Sequence, residues 1–269
     1  MMNVLSGVHN HTDFSDGKHT PAEMLSRALA LGFVSFGFSD HSHTPCDLSY
    51  CMKKERYAAY RDTVRDLKER FADRIEVLCG LEKDRESEED GEGFDYLIGS
   101  VHYIAVPGGR IVPVDESEKD QRDTVRFFCG GDKLEFARRY YDAVVSHAGS
   151  GAFQIQGHFD LITKYGLFDD GGDAYTALAL DALDAVLDAV PYIEVNVGGM
   201  TRLGRKDPYP APFLLRRVLE KGGKVILAAD AHRADWIDAG FETALSLLKK
   251  IGFEEVYRLR AAGFEKLPL

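Results

Sequence analysis

Histidines in this chain recur beside small polar residues at the ends of short apolar runs, and their spacing is that of metal ligands. In the stretch GVHNHTDFSDG, from Gly7 to Gly17, His9 and His11 stand two residues apart. On an extended strand, residues i and i+2 face the same way, so both imidazoles can bind one cation from one side. Asp16, in a loop that ends at Gly17, can curl back to add a third contact. Such a site is built from nitrogen and hard oxygen donors, with no thiolate. One H-x-H is also compatible with two surface histidines near a turn, but the pattern comes back at Asp40-His41-Ser42-His43, at Glu82, at His102, at His158 and at Asp230-Ala231-His232.

Each of these residues sits where the sequence predicts the end of a strand. Asn3–Val8 reads as a first buried strand, and Thr20-Pro21-Ala22-Glu23 then opens a helix: Thr20 as N-cap, Pro21 in the first turn, Glu23 closing a capping box. That helix stops at Gly32, and Val34–Ser39 is a second strand leading to His41. A charged helix over Glu55–Phe71 precedes a third strand, Ile75–Leu81, which ends at Glu82, while Tyr96–Val101 leads to His102. Phe153–Gly157 delivers His158, Tyr192–Val195 ends at Asn196, and Lys224–Ala229 ends at Asp230 and His232. Between them, Asp132 and Glu135 form a second capping-box pattern for a helix to about Ala148. Tyr175, Ala179, Ala182, Leu183 and Val186 keep the i, i+3, i+4 rhythm of an amphipathic helix that Pro191 ends, and another helix covers Phe213–Lys221. No periodicity persists over 103–132, and an irregular connection of that length is expected to act as a lid or insertion. The acidic run Glu86–Glu92 reads as a solvated loop, His19 as a solvated residue and His147 as a surface or packing residue.

About seven short apolar strands alternating with helices imply a parallel sheet covered by helices. Closed into a barrel, such a sheet gathers the C-terminal ends of its strands at one mouth. His9, His11, His41, His102, His158 and His232, six of the chain's nine histidines, fall at those ends with Asp16, Glu82 and Asp230. A catalytic zinc takes about three protein ligands and keeps one position open. Nine candidates therefore suit two or three divalent ions, with Glu82 the preferred bridge, and imidazole with carboxylate leaves Zn, Fe and Mn open.

Composition narrows the functions compatible with this site. A chain of 269 residues with 45% hydrophobic content can bury one large core, and no Pro/Ser-rich linker or internal repeat divides it, so a single domain over 1–269 is expected. A formal charge of -11 disfavours a nucleic-acid surface, which needs clustered Lys and Arg. Cys46, Cys51, Cys79 and Cys129 show no C-x-x-C spacing and read as reduced thiols. The start, MMNVLSGVHNH, lacks a basic region followed by a long apolar segment, and no run approaches a membrane span, so no membrane partner and a cytoplasmic location are expected.

The ordered set GVHNHTDFSDG, SDHSH, GLEKD, GSVHY, GHFD and ADAH, spread over nearly the whole chain, resembles the polymerase and histidinol phosphatase (PHP) family, nearest to its monofunctional histidinol-phosphate phosphatases. The resemblance implies an α/β fold, a distorted (β/α)7 barrel with a trinuclear metal centre at the C-terminal ends of the strands. It places the ligands on His9, His11, Asp16, His41, Glu82, His102, His158, Asp230 and His232. The segment NVGGMTR followed by PYP also resembles that subgroup, in which an arginine after the sixth strand contacts phosphate. Here Arg202 is the first candidate and Arg205 its rival, with Lys164 as a second anion contact and His43 near enough to the mouth to touch substrate.

The implied reaction is hydrolysis of a small phosphate ester, L-histidinol phosphate, to L-histidinol and phosphate, as in histidine biosynthesis. Clustered cations would activate water for in-line attack, and Arg202 would offset charge on the phosphate oxygens. Asp230 or His232 would assist the leaving alcohol. Asp40 and Asp160, beside His41 and two residues after His158, are candidates either for orienting ligand imidazoles or for forming turns. Rival readings are a phosphoesterase for another small ester or a nucleotide, and a metal-loaded barrel without catalysis.

Overall fold

The computed structural model describes residues 6–168 and 172–269, so the Asn3–Leu5 part of the first expected strand lies outside it. In chain order, the first half contains β1 (Ser6–Gly7), α1 (Pro21–Leu31), β2 (Ser35–Phe38), α2 (Tyr57–Arg70), β3 (Glu76–Asp84), β4 (Tyr96–Ser100), β5 (Tyr103–Val106), β6 (Arg110–Pro113), α3 (Glu118–Phe128) and α4 (Lys133–Ala148). The second half contains β7 (Ile155–Gln156), α5 (Asp173–Ala189), β8 (Tyr192–Asn196), α6 (Gly198–Leu203), α7 (Pro212–Glu220), β9 (Lys224–Ala228), α8 (Phe241–Ile251), β10 (Glu255–Arg260) and β11 (Gly263–Pro268).

Strands β1, β2, β3, β4, β7, β8 and β9 are parallel neighbours in that order. The curled sheet meets itself just past β1 and β9, where Asn10 pairs with Ala231 in parallel. His11 N–H donates to Ala231 O at 2.9 Å, and Ala231 N–H donates to His9 O at 3.3 Å. The seam therefore brings the two ends of the ligand pattern, His9/His11 and Asp230/His232, into register. This is the distorted (β/α)7 barrel the motifs implied, with β10 and β11 added as an antiparallel hairpin beside β9.

The barrel's inside is filled by Val8, Leu78, Tyr96, Ile98, Ile155, Ile226 and Leu259. Tyr96 crosses this interior, its hydroxyl donating to Val8 O and, at 3.1 Å, to Phe38 O. Gly37 and Gly80 leave room for its ring: a Cβ on either would stand 2.3 Å from a Tyr96 atom. Outside the sheet, helices bury apolar faces as the sequence periodicity predicts. α1 buries Met24, Leu25 and Ala28, and α5 buries Tyr175, Ala179, Ala182, Leu183 and Val186. The Thr20–Glu23 capping box closes in both directions, and Gly32 ends α1 at φ 80°. At Asp132 only half of the expected box forms, because Asp132 accepts from Leu134 N–H while Glu135 pairs with Arg138 and Arg139.

Two expectations need correction. Residues 103–132 are not irregular: β5 and β6 form a hairpin, and Ser117 caps α3. Short strands and a polar helix with few buried residues hide this order from periodicity. Glu82 is not a strand tip either, since β3 continues through it to Asp84, each residue paired with β4. Among the described residues no helix is long and apolar enough to cross a membrane, and the four cysteines are free.

Candidate metal centre

The mouth of the barrel gathers all nine expected ligands into one buried cluster. Glu82 stands at its middle: Oε2 lies 2.6 Å from His41 Nδ1, 3.3 Å from His9 Nε2 and 3.6 Å from His11 Nε2. Its other oxygen, Oε1, lies 2.9 Å from His158 Nε2 and 3.6 Å from His102 Nε2. The two carboxylate oxygens thus face different sets of imidazoles, the geometry a bridging ligand needs. On the seam side, Asp230 Oδ1 is 3.2 Å from His11 Nε2 and 3.9 Å from His9 Nε2. Asp16 curls back as expected, Oδ2 at 3.2 Å from His232 Nε2 and Oδ1 at 3.7 Å from His41 Nε2.

Three groups in this cluster have donor atoms close enough to share an ion: His11, Asp16, His41 and His232; His9, His11 and Asp230; and His41, Glu82 and His102. His158 stands outside these groups but touches Glu82. The donor chemistry fits divalent cations. His9 Nε2, both ring nitrogens of His11, Asp16 Oδ1, Glu82 Oε2 and His158 Nδ1 are buried without a hydrogen-bond partner. Each buried polar atom left unsatisfied costs about 1–3 kcal/mol, which a bound cation would offset.

Charges here answer one another. Burial disfavours the Glu82 carboxylate, yet His41, His9 and His102 hold it well below the usual carboxyl range. Burial works against protonation of His102, but Glu82 and Asp84 push it up to about 9. His9 is raised too, by Glu194, Glu82 and Asp230 against its burial. His11 goes down, through burial and the neighbouring His41 and His232. Asp230 adopts φ 50°, a left-handed backbone uncommon outside glycine, which turns the chain between the end of β9 and the seam at Ala231.

The carboxylates that orient the imidazoles are not those the sequence suggested. Asp40 accepts from Thr12 N–H and Thr12 Oγ1, both at 2.8 Å, and from Ser15, and so folds the loop that returns Asp16. Asp160 accepts from Ala211 N–H at 3.0 Å at the start of α7. Asp84 instead receives His102 Nδ1 at 3.0 Å, and Glu194 receives His9 Nδ1 at 2.7 Å. Glu194 also accepts the His158 N–H and, at 2.8 Å, Asn196 Nδ2. Both were within reach of the i, i+2 rule: Asp84 follows Glu82 at that spacing in GLEKD, and Glu194 is the lone charge in an apolar strand.

A cleft of about 480 Å3 opens onto the cluster, lined also by Lys18, Tyr50, Tyr103, Asp115, Lys164 and Arg202. Arg202, on α6, forks onto Asp230 at 2.8 and 3.4 Å and donates to His232 Nδ1 at 2.8 Å. Lys164 reaches the cleft, where it is bound to Asp115 Oδ2 and Asp115 O, both at 2.8 Å. Arg205 donates to Thr163 O at 2.6 Å and lies over Tyr209, outside the residues that line the cleft. His43 does not line the cleft: its backbone is held by Tyr57 OH at 2.6 Å, toward α2. His147 packs on Phe153 as expected, its Nε2 3.2 Å from Lys83 O, and His19 accepts from Ala234 N–H at 3.2 Å.

Comparison with known proteins agrees with this architecture. The PHP domain model matches residues 7–198. A "Probable histidinol-phosphatase" of Deinococcus radiodurans is 32% identical over 262 residues, covering 93% of this chain and 95% of that protein. A "Probable histidinol-phosphatase" of Schizosaccharomyces pombe is 24% identical, covering 86% and 80%. Among solved structures, the histidinol phosphate phosphatase of Lactococcus lactis, complexed with Zn, L-histidinol and phosphate, superposes with a TM-score of 0.72 at 23% identity, over 97% of this chain and 99% of that one.

Proposed function

The chain belongs to the PHP domain family, and on that premise we propose that it is a metal-dependent phosphomonoesterase that hydrolyses L-histidinol phosphate to L-histidinol and phosphate, a step of histidine biosynthesis. The observation that carries this reading is the buried cluster of nine imidazoles and carboxylates around Glu82, with Arg202 at its rim above an open cleft. The 32% identical relative supports the choice of ester.

In this reading one barrel domain holds two or three divalent ions through His9, His11, Asp16, His41, Glu82, His102, His158, Asp230 and His232, with zinc supported by the Lactococcus lactis complex. When bound, such ions supply the positive charge that activates water and balances the oxygens of an in-line displacement at phosphorus. The protein's own part is orientation. Asp84 and Glu194 fix the rings of His102 and His9 so that each Nε2 faces the centre. Arg202, anchored on Asp230 and His232, offers its remaining N–H donors to the phosphate oxygens. Asp230 is a poor proton donor, because against its burial Arg202 and His9 hold its carboxyl well below the usual range. His232 accepts from Arg202 at Nδ1 and faces the cluster through Nε2, so as a ligand it has no proton to give, and the leaving alkoxide takes its proton from the attacking water. Water's oxygen ends on phosphate and its proton on histidinol. The acidic net charge and free thiols support a cytoplasmic setting with no nucleic-acid partner.

The test is phosphate release by the protein loaded with zinc, iron or manganese, across a panel of small phosphate esters and nucleotides. Histidinol phosphate should give the highest kcat/KM. A nucleotide preference, or no turnover with any of the three metals, would overturn the assignment.

A further inference from the structure

The substrate just proposed carries an ammonium group a few bonds from its ester oxygen, so a phosphate seated on the cluster places a cation against the adjoining wall of the cleft. Besides Asp16 and Asp230, which belong to the cluster, the carboxylates lining the cleft are Asp115 and Glu116. They differ in how they are held. Asp115 follows β6, and Val114 N–H donates to His102 O at 2.9 Å, which ties this segment to a ligand's own backbone. Lys164 grips the Asp115 carbonyl and Oδ2, and Tyr165 OH donates to the same carbonyl at 2.9 Å and to Glu116 O at 2.8 Å. The Asp115 side chain is only 20% exposed, whereas Glu116 is exposed.

Burial opposes ionisation of Asp115, but the paired Lys164 keeps its carboxyl below the ordinary value. Among the described residues, Lys164 alone pairs with the Asp115 carboxylate, and it does so through Oδ2. A carboxylate has room for further donors beyond one lysine. Lys164 is therefore less a phosphate contact than the clamp that holds Asp115 against the cleft.

We propose that Asp115 is the specificity-determining residue of this cleft, its carboxylate taking the protonated amine of the amino-alcohol phosphate while Lys164 and Tyr165 hold it in place. The assignment rests on histidinol phosphate as substrate, and the experiment separates the two. Steady-state kinetics are measured for the metal-loaded wild type, Asp115→Asn and Glu116→Gln, each with histidinol phosphate and with its analogue lacking the amine, 3-(imidazol-4-yl)propyl phosphate. Wild type should favour the amine-bearing ester in KM by about tenfold or more, and Asp115→Asn should lose that preference. In that variant kcat for histidinol phosphate, the inhibition constant of inorganic phosphate and bound metal should stay within about twofold of wild type. Glu116→Gln should behave as wild type.

If wild type does not turn over histidinol phosphate, the substrate reading and this assignment fall together. If it does, and Asp115→Asn keeps the preference or weakens both esters and phosphate alike, the assignment falls alone. A wild type indifferent to the amine refutes it even if the variant does not fold.

Discussion

Glu82 is the residue on which the cluster turns, because its two oxygens face separate imidazole sets and, among the described residues, no other carboxylate touches as many of the candidate ligands. Glu82→Gln keeps the shape and removes the charge, so it is expected to lower bound metal by more than one ion per chain and turnover by at least about 100-fold. Elemental analysis beside a phosphate-release assay checks this, and full metal with full turnover would remove Glu82 from the centre. Glu194 acts one step away, through His9 Nδ1 and the His158 backbone. Glu194→Gln can still hydrogen-bond His9, and so should bind metal more weakly by about 10- to 100-fold rather than lose it, while Glu194→Ala should fall further. Zinc titration of the two variants decides between orientation and mere packing, since a packing role predicts that the isosteric glutamine binds zinc as tightly as wild type. The nine expected ligands were legible because a metal needs donors of a few kinds at strand ends, and sequence records both kind and place. The orienting carboxylates were not taken from the sequence because their role depends on which ring each meets across the barrel. Asp40 and Asp160 lie nearer in sequence to a ligand histidine than Glu194 lies to His9, yet serve loops.

Among the elements, short parallel strands are what gather the ligands, and β4 shows how they are kept in place. Tyr96 spans the barrel interior over Gly80 and Gly37 to reach the backbone of the first two strands. A methyl at Gly80 would sit 2.3 Å from the Tyr96 ring, with β3 and β4 hydrogen-bonded to one another and unable to part. Gly80→Ala is therefore expected to destabilise the fold by about 1–3 kcal/mol. Denaturant titration reads this as a lower midpoint at unchanged slope. An unaltered midpoint would show that the ring can move aside. Alternation of apolar runs and helices was enough to place seven strands, since a strand buried on both faces must be apolar throughout. Elements that bury less left weaker traces: β6, α3 and β11 are exposed at much of their length. Their order comes from partners elsewhere in the chain, such as the Gln121 amide donating to Val114 O and, at 3.0 Å, to Ile162 O.

For the whole molecule, the cluster lies across the seam, where β1 and β9 close the barrel by the short bridge at Asn10 and Ala231. Ligands from both sides of that seam, His9 and His11 with Asp230 and His232, would be tied by shared ions, so metal should stabilise the closed barrel as well as activate it. An ion that binds only the folded chain adds about 4 kcal/mol at a thousand times its dissociation constant. The dependence on pH has a definite sign. In the metal-free protein His9 and His41 are raised, and His102 is raised from 6.5 to about 9. A group raised on folding contributes stability that is complete below its unfolded value and is lost as pH climbs through the folded one. The metal-free barrel should thus weaken between pH 6.5 and about 9. Metal uptake must displace those same protons, so its apparent affinity should rise over the same interval. At fixed free zinc the gap in melting temperature between zinc-loaded and chelator-stripped protein follows that affinity, so it is expected to widen steadily toward the alkaline end of that range. Paired melting curves at fixed free zinc measure it, and a gap that stays level or narrows would mean that His9, His41 and His102 are neither protonated without metal nor ligands with it.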